Sequence, residues 1–220
     1  MVEIHISDEL KHIWPDVALA CIQADVKLKQ HDPGLWEVIT HRCRQLKEEI
    51  SLEQIAHLPN NKESREAYRK FGKDPTRYRL SSESLLRRIL KGKEIDSINN
   101  IVDINNLLSI VFFDSIGTYD IEKLVPSITF RIGRKDEDYI GIGRGALNIE
   151  NLPVLSDRIG AFGSATSDSE RTMVTMETKK ILMNRISFHG ADDLEQYLDY
   201  AKELLEEYAD AKNIESKIII

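Results

Sequence analysis

The spacing of apolar positions changes along the chain, and each change marks an element. Residues 2–6 alternate apolar and polar and predict a short strand. Residues 17–28, rich in Val, Ala, Ile and Leu, predict a second, central strand. The two are expected to form a hairpin or neighbouring strands of one sheet across the polar stretch 8–16. After Pro33-Gly34 the spacing lengthens. Leu35, Val38, Ile39, Leu46, Ile50 and Ile55 recur at helical intervals to about His57, and Leu58-Pro59-Asn60-Asn61 stops the run. Residues 62–71 predict a short helix ended by Gly72, and Lys73-Asp74-Pro75-Thr76 a turn. Ser81 or Ser82 caps a helix that turns Leu85, Leu86, Ile89 and Leu90 inward, with Gly92 past its end. Residues 99–112 predict a further apolar helix.

Beyond that point the period shortens. Strands are expected at 127–132, 138–142, 152–156, 172–175 and 180–188, followed by an acidic amphipathic helix over 191–211 with Leu194, Leu198, Ala201, Leu205 and Tyr208 on one face. Strands, then helices, then strands, then a helix is an α+β order, with the middle helices covering a sheet built from both ends of the chain. No repeat or linker interrupts it, so residues 1–220 are read as a single domain.

Composition adds limits. Apolar residues make up 41% and charged residues 30% of 220, ordinary for a globular chain that buries its core without staples. No run approaches the roughly 18 apolar residues that span a bilayer, and the start lacks a signal-peptide pattern. A cytoplasmic location and no membrane partner are therefore expected. Cys21 and Cys43 are unpaired in sequence, and the six histidines lack metal spacing, so no metal and no cofactor are expected.

The net charge of −7 argues against nucleic acid as a partner, DNA included, but it is unevenly spread. Residues 62–93 hold eleven Lys or Arg against four Asp or Glu, whereas residues 192–215 hold nine acidic against two basic. Two readings are open: a basic face that draws phosphate, or two solvated helix surfaces of opposite sign. Within the basic stretch, Tyr68-Arg69-Lys70-Phe71-Gly72-Lys73-Asp74-Pro75-Thr76-Arg77-Tyr78-Arg79 interleaves aromatic and basic residues. That composition suits a single-stranded RNA end, with Arg69, Lys73, Arg77 and Arg79 on phosphates; it equally suits a turn anchored by Phe71 and Tyr78. Residues 160–172 form a small, polar, glycine-rich segment fit for close approach to a ligand or for a plain surface loop. Gly141-Ile142-Gly143-Arg144-Gly145 lacks a complete phosphate-loop spacing and reads as a turn. Ser164, Ser167 and Ser169 lie outside any Gly-x-Ser-x-Gly frame, and His189 reads as a satisfied polar residue.

Two stretches resemble the editing domain of the bacterial phenylalanyl-tRNA synthetase beta subunit. Ile101-Val102-Asp103-Ile104-Asn105-Asn106-Leu107-Leu108, followed by Gly117-Thr118-Tyr119-Asp120-Ile121-Glu122-Lys123-Leu124, is similar to the family's Val-Asp-x-Thr-Asn-Tyr-Val and Pro-x-His-Ala-Phe-Asp-x-x-Lys-Leu, with ungapped spacing between Asp103 and Asp120. Residues 160–177 stand where the family carries an Ala-Gly-x-Met-Gly-Gly loop. The resemblance covers roughly 65–186. It implies a three-layer arrangement with a β-sandwich of unusual topology. It also implies hydrolysis of the ester joining a wrong amino acid to a tRNA 3′ end, here in trans. On that basis Asn105, Gly117, Gly160 and Gly163 are the candidate catalytic positions. Asn106, Ser164 and Thr166 would contact the amino-acid moiety. The family's Thr falls on Asn105, its His on Gly117 and its pocket Glu on Met183 or Asn184, so the pocket's polar groups are largely replaced. The chain is too short for a complete ligase. The alternatives are a non-catalytic RNA-binding module and a binding protein for a free amino acid or related metabolite.

Overall fold

The computed structural model describes residues 1–220. In chain order it has β1 (Ile4–Ile6), α1 (Asp8–Ile13), β2 (Ala18–Asp25), α2 (Pro33–Glu49), α3 (Pro59–Lys70), α4 (Ser81–Leu90), α5 (Asn100–Phe112) and β3 (Ile116–Asp120). There follow β4 (Ile128–Ile132), β5 (Ile140–Gly141), β6 (Gly145–Ala146), β7 (Pro153–Ser156), β8 (Ala161–Ser164), β9 (Lys180–Ser187), α6 (Leu194–Ala209) and β10 (Lys212–Ile219).

The fold is α+β, built on two four-stranded sheets ordered β10-β2-β9-β3 and β1-β4-β7-β8. Strand β2 runs antiparallel to β9, from Ala18 opposite Ser187 to Asp25 opposite Lys180. Because successive side chains alternate faces, Ala18, Ala20, Ile22 and Ala24 join one core with α2, α4, α5 and α6. Their neighbours Leu19 and Cys21 join the other core, with Phe130, Leu155 and Phe162 of the second sheet. Strand β2 is thus covered on both faces, which is why it reads as an apolar run. Its alanines let the helices approach closely.

Side-chain caps set the starts of α1, α2 and α5, whereas α4 begins after Leu80 with Ser81 and Ser82 inside its first turn, so the expected serine cap is not formed. Ser7, Asp32 and Asn99 accept from the backbone N–H of Leu10, Leu35 and Val102 at 3.3, 3.2 and 2.9 Å. The Ser7-capped α1 carries the chain from one sheet to the other. The expected pairing of the first two strands is therefore not formed: β1 lies parallel to β4, and β2 sits between β10 and β9. The helix expected to reach His57 stops at Glu49, with a separate 3-10 turn at Ile55–His57. Residues 172–175 are not a strand; a 3-10 turn at Glu170–Thr172 leads into a lone bridge between Tyr119 and Met173. Residues 138–142 contribute only the two-residue β5. No helix is long and apolar enough to cross a membrane.

Candidate functional site

A cavity of about 410 Å³ opens between α4, α5 and the segment that follows β8. Ser81, Ser84 and Arg88 of α4 form one wall and Asn105, Asn106 and Ser109 of α5 a second. Ser164, Ser167 and Asp168 form the third, with Arg144 from the turn joining β5 to β6. The cavity is strongly polar, and its groups are not equally free. The Thr118 hydroxyl donates to Asn105 Oδ1 at 2.9 Å, which fixes the amide and leaves its NH2 as the available donor. Ser164 Oγ accepts from the N–H of Thr166 and Ser167 at 3.3 and 3.1 Å and donates to the Ser167 carbonyl at 2.9 Å, so this hydroxyl braces a turn.

Asp168 differs from the rest. Tyr119 Oη donates to its Oδ1 at 2.8 Å, and no Lys or Arg pairs with it. Burial pushes the Asp168 carboxyl up to about 7, against the Tyr119 bond, which favours the charged form. Burial likewise raises Tyr119 well above an ordinary phenol, and the Asp168 charge adds to the effect.

The geometry around Tyr119 explains two glycines. A Cβ at Gly117 or at Gly163 would come within 2.1 Å of the Tyr119 hydroxyl. Residues 117 and 119 point to the same face of β3. The Tyr119 side chain therefore folds back over Gly117 and under Gly163, filling the space in which a residue at 117 would project. The Gly117 Cβ direction also ends 3.1 Å from Asp168 Oδ1.

The two motif aspartates serve the scaffold. Asp103 is fully buried and accepts from Trp36 Nε1 at 2.7 Å, Ser97 Oγ at 3.1 Å and the Ile98 N–H at 3.3 Å. Asp120 accepts from Thr178 Oγ1 at 2.7 Å and from the Glu122 N–H at 3.0 Å, closing the turn after β3.

The model of the B3/4 domain matches residues 63–210. The chain belongs to the B3/4 domain family. No curated protein matches it. Among solved structures it is similar to an N-terminal fragment of the phenylalanyl-tRNA synthetase beta subunit from Pyrococcus horikoshii, at 16% identity and a TM-score of 0.46. That match covers 99% of this chain and 50% of the fragment, so this chain spans half the length of that structure.

In this B3/4 domain the residues singled out from sequence fall into three places. Asn105, Asn106 and Ser164 share the cavity, and Gly117 and Gly163 enclose the tyrosine beneath it. Thr166 is buried behind the wall, its hydroxyl 3.1 Å from that of Tyr68. Gly160 lies in a separate cleft with Arg131, Glu137 and Asp157, not with Asn105. Met183 and Asn184 are fully buried in β9.

The basic segment divides in the same way. Lys73 is buried, with its ammonium 4.2 Å from the centre of the Tyr78 ring. Glu83, also buried, accepts from Arg65 and Arg87 at 2.8 and 3.0 Å and lies 3.7 Å from Arg79. Arg69 and Arg77 remain exposed. Sequence reasoning missed Asp168 and Arg144 of the B3/4 domain's cavity. Both lie in segments that read as loops, and only the docking of β5-β6 onto residues 167–169 brings them together.

A second polar cluster lies elsewhere. Arg185 is completely buried; it bonds Asp114 through Nε at 2.8 Å and Asp193 through a terminal nitrogen at 2.7 Å. His189 Nε2 stands 2.8 Å from the same Asp114 oxygen. Burial pulls the His189 value down, but the Asp114 bond and the Asp114 and Asp193 charges outweigh it and hold the imidazole above its ordinary 6.5.

Proposed function

We propose that this chain, acting in trans as a single cytoplasmic domain, binds the aminoacylated acceptor end of a tRNA. We further propose that it hydrolyses the ester joining a wrongly attached amino acid to that end. The observation that carries the reading is a shared helix. Helix α4 belongs to the basic stretch, and its Ser81, Ser84 and Arg88 form a wall of the polar cavity. A phosphate chain held by the exposed Arg69 and Arg77 thus has a ligand-sized polar cavity on an adjoining element. The motif resemblance through Asp103 and Asp120 supplies the substrate class.

The chemistry asks for a fixed donor at the ester carbonyl. The Asn105 NH2, fixed by Thr118, supplies one before substrate arrives, where it stabilises charge developing on the carbonyl oxygen. Water oxygen bonds to the carbonyl carbon, the ribose oxygen leaves and takes a proton, and free amino acid and tRNA result. Gly117 and Gly163 contribute by admitting Tyr119, and Asn106 and Ser164 line the amino-acid space.

The test is deacylation of tRNAs mischarged with a panel of amino acids. Wild type should release at least one amino acid faster than buffer, and Asn105→Ala should slow that release by about 10²-fold, the scale of one oxyanion donor. Release no faster than buffer across the panel sinks the hydrolase reading. Retention of tRNA without release would leave an RNA-binding module. A free-amino-acid binding protein is the second reading, favoured by the opposite charges of Asp168 and Arg144 in one cavity.

A further inference from the structure

We propose that the cavity contains an ammonium subsite. The Asp168 carboxylate, oriented by Tyr119, receives the free α-amino group of an amino-acid ligand, and Arg144 receives the ligand's anionic group. The inference rests on the reading that this cavity takes an aminoacyl group, whether esterified or free.

Three observations carry it. First, Asp168 is a cavity-lining carboxylate with no protein cation as partner. Carboxylates enclosed in this way are ordinarily paired. Elsewhere in this chain Glu83, Asp114 and Asp157 each bind arginine, and Asp103, which has no cation, accepts from three donors where Asp168 has the Tyr119 hydroxyl. Secondly, its orientation is built in. The Tyr119 hydroxyl holds Oδ1 and is itself enclosed between Gly117 and Gly163, leaving carboxylate lone pairs for a ligand donor.

Thirdly, Arg144 is tied to the same segment. Its turn is bonded to the Asp168 region by Ile142 N–H to the Asp168 carbonyl at 2.9 Å and by a bridge between Gly141 and Ser169. Tyr139 Oη adds a bond to the Ser167 carbonyl at 2.6 Å. Arg144 itself is exposed, engaged by no carboxylate, and flanked by Gly143 and Gly145 at φ 65° and 70°. A cation and an anion on one wall of a cavity of about 410 Å³ complement a zwitterion, or an aminoacyl group followed by a phosphate.

The groups around Asp168 leave it as the one that titrates near neutrality. Tyr119 of β3, Tyr139 before β5 and Cys21 of β2 are all raised by burial and stay neutral. The guanidinium groups of Arg88 on α4 and of Arg144 line the same cavity. An ammonium binds the ionised carboxylate, so affinity should rise as pH rises through about 7. Between pH 6 and pH 8 the ionised fraction of such a group grows about tenfold.

The experiment is calorimetric titration of the full chain with the twenty free L-amino acids, their N-acetyl derivatives and their α-amides. At least one amino acid should bind, about tenfold more tightly at pH 8 than at pH 6. N-acetylation should abolish that binding. Asp168→Asn should weaken it about 30-fold, the effect of about 2 kcal/mol. Arg144→Ala should weaken the free acid about fivefold and leave the amide unchanged. A non-hydrolysable 3′-aminoacylamido adenosine, with and without its 5′-phosphate, separates the two sources of the anion: sensitivity to Arg144→Ala follows either the carboxylate or the phosphate.

Binding of none of the twenty, or equal binding of the N-acetyl derivative, overturns the subsite, and neither result depends on a variant folding. Equal binding by Asp168→Asn also overturns it. Binding without deacylation would fail the hydrolase reading alone. Deacylation by a chain indifferent to N-acetylation of its ligand would fail the subsite alone.

Discussion

The hydroxyl of Tyr119 has two glycines and one carboxylate as its surroundings, and each can be tested singly. Gly163→Ala places a methyl within 2.1 Å of that oxygen and should destabilise the fold by about 1–3 kcal/mol in urea denaturation, the cost of overpacking. Adding Tyr119→Leu, which removes both the hydroxyl and the ring carbon 2.5 Å from that methyl, should recover part of the loss; no recovery would show that the clash is not with the Tyr119 ring. Asp103 tests the opposite case. Asp103→Ala removes the acceptor of Trp36, Ser97 and Ile98 and should cost about 2–4 kcal/mol, because buried donors are left unpaired. Sequence spacing singled out Asp103 and Asp120, and both prove to be scaffold groups. Asp168, the more unusual carboxylate, carried no signal because nothing in Ser-Asp-Ser separates an enclosed aspartate from a solvated one.

At the scale of elements, α3 and α4 meet through Glu83. Glu83→Gln leaves Arg65 and Arg87 without their counter-charge and should lower stability by about 2–3 kcal/mol, less than a fully enclosed pair because Arg87 reaches solvent. A salt-independent loss would point to packing rather than charge. Helices with clean apolar spacing, such as α4, α5 and α6, were legible in the sequence, as were β2 and β9. Four strands were not, the two-residue β6 among them. Strand β3 follows α5 after a left-handed Phe113 and offers only five residues, one of them Gly117. Strand β8 is Ala-Phe-Gly-Ser, small enough to read as loop. Strand β10 lies at a sheet edge, and the polar residues that make up much of it hide the alternation. Hairpin pairing of β1 with β2 failed because alternation names a strand's faces and says nothing of its partner.

For the molecule as a whole, two titrations tilt stability the same way. Asp168 is raised from 3.8 to about 7, so the folded chain holds a proton that the unfolded chain releases, and this contribution is lost as pH rises between those values. His189 is raised above 6.5; its contribution is present below that pH and is lost as pH rises through the shifted value. Urea midpoints should fall with pH from about 5.5 to 8, above the range in which the lowered carboxylates of Glu137 and Asp157 act in the opposite direction. Asp168→Asn should flatten the fall up to about pH 7, and His189→Gln the part above 6.5. The charge asymmetry has its own test. Arg69→Glu with Arg77→Glu should weaken tRNA retention and make it less salt-dependent, by about one unit of logarithmic slope for each phosphate no longer neutralised; an unchanged slope would remove this face from the tRNA path. The segment's composition could not foretell that Lys73 and Arg79 engage internal partners, because that depends on where Tyr78 and Glu83 fold. For the same reason only part of the site could be read in advance: residues on α5 were placed by their motif, while those on the glycine-rich segments depended on how loops dock.

The space over β3 has one more consequence, for inheritance. It holds either the outer end of the residue 119 ring as now placed or a side chain on residue 117, so the two positions form a single unit of variation. Among B3/4 domains that keep this backbone, a tyrosine at the later position should travel with glycine two residues before it. A sequence gaining a side chain there must move the ring and its hydroxyl away, and with them the orientation of the acid on the neighbouring wall.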